Sequence, residues 1–296
     1  MLTPSVRLKL LIMPLLLTLL VGCTTRMAYN NLDRLTVRWV DQHVSLDSDQ
    51  RMLLREVIET EQLWHCATQL DDYQAWIEQL QLDLLADRLD QRRLADHGDR
   101  LAAFGRILAQ RIQPMLVALA VSLDDEQVGE VRAALDERIE ELREEIDAFS
   151  REEWAQERAK GMARGLRRFM GPINPGQRAR VERWARELEP THGHQLAQRL
   201  YWRDRITQAL ARRDERAFLE LEVAALLAPS SVWPQGYREA IEANRQRTLA
   251  AMEEVVTLID ANQRDRLSTR LARLKRDFNQ LSCDSEAPLA KLPDPY

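Results

Sequence analysis

Two stretches of this chain bring together side chains able to coordinate a metal or move a proton. His65 and Cys66 are adjacent, with Glu61 one helical turn earlier. An imidazole, a thiolate and a carboxylate are common zinc ligands, but a site needs three or four converging groups. No second cluster of matching spacing follows, so no metal is expected. His192 and His194 flank Gly193 where a turn is expected, and two histidines of that kind read as surface residues. The chain has no Gly-rich phosphate loop, no Gly-x-Ser-x-Gly elbow and no His-Glu-x-x-His helix. Acid pairs abound because the helices are acid-rich, and spacing singles out no catalytic couple. The expectation is a protein that is not an enzyme and takes no cofactor.

The three cysteines carry more information. Leu20-Val21-Gly22-Cys23 closes a short apolar segment, Leu10 to Val21, that follows Arg7 and Lys9. A positive start, an apolar stretch and a small residue at the end are the parts of an export signal. The stretch is short of the roughly 20 apolar residues of a membrane span, and Pro14 interrupts it. Leu-Val-Gly-Cys resembles the lipobox of bacterial lipoproteins, which implies cleavage between Gly22 and Cys23. The Cys23 sulfur would then carry a diacylglycerol and its amine an acyl chain such as palmitate. Each buried methylene contributes about 0.8 kcal/mol, so two or three chains moor a protein firmly where one does not. In such lipoproteins an aspartate after the cysteine retains the protein in the inner membrane; here the position is Thr24. The resemblance implies the inner leaflet of a Gram-negative outer membrane, with the body facing the periplasm.

In an oxidising compartment the remaining pair, Cys66 and Cys283, reads either as a disulfide or as two buried thiols. A bridge would close a loop of roughly 217 residues and contribute up to about 5 kcal/mol on the chain-entropy account.

Composition bounds the rest. The 296 residues carry a net charge of -5, which becomes -7 once Arg7 and Lys9 leave with the signal, and nucleic-acid binding is not expected. Charge is unevenly placed. Asp124 to Asp147 holds eleven acids against Arg132, Arg138 and Arg143, while Arg158 to Arg186 holds nine bases against Glu182. Blocks of this kind usually neutralise each other or lie on solvated faces; a basic block facing anionic lipid headgroups is the second reading.

Glycine is scarce and period-two runs of β-branched residues are missing. An all-α fold is expected: elongated multi-helix bundles with one long connecting helix. One pattern recurs at helix starts, namely an apolar residue, Asp or Asn, two variable residues and Gln. It occurs at Asp47/Gln50, Asp124/Gln127, Asn174/Gln177 and Asp260/Gln263. In a capping box the Asp or Asn oxygen accepts from the backbone three residues on, and the Gln side chain reaches back. The pattern is also similar to the Leu-Thr-x-x-Gln signature of small periplasmic helical chaperones, with Asp or Asn in place of Thr.

The expected division is a signal at 1–22, a lipidated tether at 23–28 and an N-terminal bundle at 29–121. A long connecting helix at 122–170, a C-terminal bundle at 171–283 and a Pro-containing tail at 284–296 complete it. A break is expected before Pro114, a stop at Gly171-Pro172, and a loop around Trp233 that leaves this tryptophan partly exposed.

Tyr29-Asn30-Asn31-Leu32-Asp33-Arg34-Leu35, Trp39-Val40-Asp41, Val44-Ser45-Leu46-Asp47 and Trp64-His65 together resemble a family of uncharacterised Gram-negative lipoproteins. The resemblance implies an all-helical periplasmic body on a lipid anchor and supplies no catalytic residue. The reading that follows is a non-enzymatic lipoprotein, held at the membrane through Cys23, that binds a protein or envelope component through helical faces. A periplasmic chaperone-like module is the alternative.

Overall fold

The computed structural model describes residues 27–228 and 233–281; the expected signal, Cys23, Cys283 and the proline tail lie outside them. Among the described residues there is no strand, and eleven α-helices are numbered here. They are α1 (Leu32–Asp41), α2 (Ser48–Thr68), α3 (Leu70–Leu85), α4 (Gln91–Ser122), α5 (Asp125–Ala148), α6 (Arg151–Met170), α7 (Pro175–Glu187), α8 (His192–Ala211), α9 (Arg216–Leu227), α10 (Gln235–Thr257) and α11 (Ala261–Asn279). None of these is long and apolar enough to cross a membrane.

All four Asp/Asn-x-x-Gln patterns start a helix. Asp47, Asp124 and Asn174 accept from the backbone of Gln50, Gln127 and Gln177 while those side chains return to the cap residue. Asp260 and Gln263 make the same pair of bonds at 2.8 and 3.3 Å. Each satisfies two of the donors that a helix start leaves open. The glutamines are also buried, at 3, 6, 0 and 2% exposure for Gln50, Gln127, Gln177 and Gln263. The caps therefore belong to the core as well as to the helix ends.

The compact units do not follow the expected division. Among the described residues, one comprises 27–79 together with 271–281, and the other is Leu80–Arg270 apart from 229–232. Their boundary falls inside α3 and α11. The first unit is built on α1 packed against α2, with Val37, Leu54, Ile58, Tyr73, Ile77 and Phe278 buried. The second pairs α5 with α8, α4 with α9, α6 with α7 and α7 with α10. Its main core gathers Ala155, Leu166, Met170, Val181, Trp184 and Val255; a smaller one gathers Val117, Ala209, Leu219 and Val223.

Two expectations about helix length are corrected. The long helix expected over 122–170 is two helices, because Phe149 is extended (φ -115°, ψ 128°) and Ser150 with Glu153 forms a capping box that starts α6. Conversely α4 does not break before Pro114 but runs through it for 32 residues, the longest helix described. A proline removes one backbone donor and crowds the preceding turn. Here its ring faces solvent while Leu116, Val117 and Ala120 continue the packed stripe, so the burial of the turns that follow outweighs that cost. At Gly171-Pro172 the expected stop is seen, with Gly171 at φ 84°, a conformation that glycine adopts without strain.

Candidate functional site

The residues singled out for chemistry in the first unit pack rather than converge. His65 lies in a row of aromatic rings. Tyr29 is 5.8 Å from it and Tyr73 5.4 Å, with Phe278 6.0 Å beyond Tyr73. The Tyr29 hydroxyl meets both the Gln62 carbonyl and His65 Nδ1 at 3.1 Å. The phenol has a single proton, so if it donates to the carbonyl, the Nδ1–H of His65 donates back to the phenol oxygen. Burial disfavours charge and holds His65 down at about 4, and it pushes Tyr29 and Tyr73 up to about 12. This is a neutral, desolvated cluster. Among the described residues no group of three or more His, Cys, Asp or Glu side chains is placed to hold a metal ion.

Cys66 is disulfide-bonded. Its sulfur lies 3.3 Å from the carbonyl oxygen of Leu281, two residues before Cys283.

In the second unit a half-open groove runs along α6. One part, of about 340 Å³, has Ala155, Ala159, Ala163 and Val181 on its floor and Lys160, Arg167, Arg178 and Arg186 around it. The other, of about 500 Å³, shares Glu152, Ala155 and Arg186 with the first and adds Phe149, Trp154, Arg158, Leu188, Pro190 and His192. The alanines recur every four residues, which places them on one helical face. Their small side chains leave the room that leucines would fill.

The acidic helix α5 makes interhelical ion pairs on and just after α8, with Arg203 to Asp136 at 2.8 Å and Arg213 to Asp125 at 2.6 Å. Within the basic block Arg180 is buried and meets Glu187 and Glu254, and Arg183 also reaches Glu254. Arg151, Arg167, Arg178 and Arg186 are exposed and have no ion pair among the described residues. The groove thus carries six cations against the carboxylates of Glu152 and Glu182.

The histidines expected on a turn open α8 instead, and both are engaged. His192 stacks on Trp154 with ring centroids 3.9 Å apart, and Arg158 donates to its Nε2 at 3.0 Å. A guanidinium has only donors, so that nitrogen presents its lone pair and the ring is neutral in this arrangement. Partial burial disfavours the Arg158 charge and lowers its pKa from the ordinary value. His194 stacks on Tyr237. Trp233 is half-buried, tilted 4.8 Å from Tyr237. Sequence reading named the basic block but missed the groove, because an alanine stripe reads as helix-forming filler until its neighbour is known.

Residues 42–238 match a family of unknown function, DUF6279. No curated protein and no solved structure matches the chain.

Proposed function

We propose, from the premise that this chain belongs to the DUF6279 family, a lipid-anchored, non-enzymatic binding protein. Moored through Cys23 to the periplasmic face of the outer membrane, it holds an acidic segment of an envelope partner in the groove along α6. The observation that carries this reading is the apolar floor of Ala155, Ala159 and Ala163 beneath Arg167, Arg178 and Arg186, exposed guanidiniums without ion pairs among the described residues. A guanidinium fork takes carboxylates two-handed, and an alanine floor admits close approach of another backbone. Nucleophile and base in hydrogen-bonding reach, as acyl or phosphoryl transfer needs, are not what lines this groove.

The anchor itself is supported by the Leu-Val-Gly-Cys sequence. The partner of Cys66 is assigned as Cys283, which follows by two residues the carbonyl that Cys66 touches.

The test compares partners recovered from membranes by the native protein, by Cys23→Ser and by Arg178→Glu/Arg186→Glu. Charge reversal should release a salt-sensitive partner without unfolding the body, since both positions are exposed. Equal recovery by the reversed form would remove the groove from the reading, and equal recovery by Cys23→Ser would make mooring incidental to binding. A chaperone role predicts instead that the soluble body keeps a reduced model substrate from aggregating. The cation-rimmed groove predicts that it does not.

A further inference from the structure

We infer that α1 lies in the headgroup region of the bilayer to which Cys23 is moored, with Leu35 and Trp39 entering the acyl boundary and Arg34 and Arg38 reaching the phosphates. The inference rests on the lipid-anchor reading and adds a second, non-covalent contact to it.

Helix α1 has one covered face and one open one. Val37 is buried against the rest of the first unit, whereas Leu35 is 46% and Trp39 43% exposed. Leu35 and Trp39 are four apart and so adjacent on the helix surface, and Arg34 and Arg38 form the next row. Both arginines are exposed and have no ion pair among the described residues. Asp41, the acid at the end of this helix, is already taken by Arg51 at 2.8 Å and by the backbone N–H of Leu46. Met27, just before the helix, is 70% exposed. An aliphatic side chain and a tryptophan beside guanidiniums on flexible stems is the composition of a helix lying in the membrane plane, where the indole sits at headgroup depth and the arginines snorkel.

Chain length points to the same occupant. Three residues separate Cys23 from Met27, so at about 3.3–3.6 Å per residue the acylated sulfur's own residue stands within about 14 Å of Met27 by any path. The ten residues of α1 rise only about 15 Å. A bilayer that holds the anchor is therefore within reach of this face, which a freely diffusing partner would have to find.

The test uses the full-length protein purified with its anchor, first checked by mass spectrometry for the lipid on Cys23, then reconstituted into mixed phosphatidylcholine and phosphatidylglycerol vesicles whose acyl chains carry bromine. Bromine quenches indole emission on contact. Quenching should be present in the native protein, and Trp39→Phe should remove the larger part of it. Leu35→Asp, an exposed change that leaves the fold intact by circular dichroism, should weaken it, and Arg34→Glu/Arg38→Glu should weaken it more as the phosphatidylglycerol share rises. Lipid on Cys23 with quenching indifferent to Trp39→Phe and Leu35→Asp would overturn the seating of α1 and leave the anchor standing. An amino terminus without lipid would overturn both.

Discussion

Gln177 and Gln263 face each other as a closed amide pair, each Nε2 donating to the other's Oε1 at 2.9 Å. Each is also the third residue of a capping box, so the starts of α7 and α11 are joined through the side chains that cap them. Gln263 reaches the Pro172 carbonyl at 2.7 Å as well. With exposures of 0 and 2% neither amide has water to fall back on. Removing one leaves the other's buried donor and acceptor partly unmet, at about 1–3 kcal/mol per group. Gln177→Leu should lower unfolding free energy by about 2–4 kcal/mol in urea, and Gln177→Leu/Gln263→Leu should cost less than the two single changes added together. Strict additivity would mean that the pair does not act as a unit.

His65 supplies a pH dependence with a definite sign. Burial holds it at about 4 in the folded chain against 6.5 ordinarily. As pH falls through 6.5 the unfolded chain takes up a proton that the folded chain refuses until about 4. Stability should therefore decline across that window, by up to about 3 kcal/mol from this group, and level off below it. Urea midpoints at pH values above and within the window, compared between the native protein and His65→Gln, isolate the effect. A pH slope unchanged by the substitution would rule out His65 as its source.

Cys66 should be unreactive in the unreduced protein even after unfolding, because it is already bonded. Alkylation in denaturant without reductant, followed by peptide mass mapping, should leave Cys66 unlabelled and yield a fragment joining it to Cys283. Cys66→Ser should lower stability by about 2–5 kcal/mol. A labelled Cys66 in the unreduced protein would end the assignment.

How much of this was legible beforehand depends on whether the cause is local. Capping is local: an Asp or Asn with Gln three residues on states its geometry outright, and all four copies open helices. Ser150 and Glu153 make the same statement in Ser-x-x-Glu form, although the apolar spacing from Val128 to Phe149 runs without proline and predicts one continuous helix. Pro114 erred the other way, since a proline's penalty is local and the packing of Val117 and Ala120 against α9 that overrides it is not. The docking of Gln177 on Gln263, 86 positions apart, and the pairing of α6 with α7 that makes the groove are tertiary facts. Neither leaves a mark on any single stretch of sequence.

The stack of Trp154 on His192 sits in the wall of the groove. An indole whose neighbour within 3.9 Å is an imidazole held by Arg158 has an emission set by that contact. Anything that seats itself there must lie beside the lamp. The protein thus carries its own occupancy gauge, readable in an unlabelled sample as the difference between the native spectrum and that of Trp154→Phe, before the identity of the occupant is known.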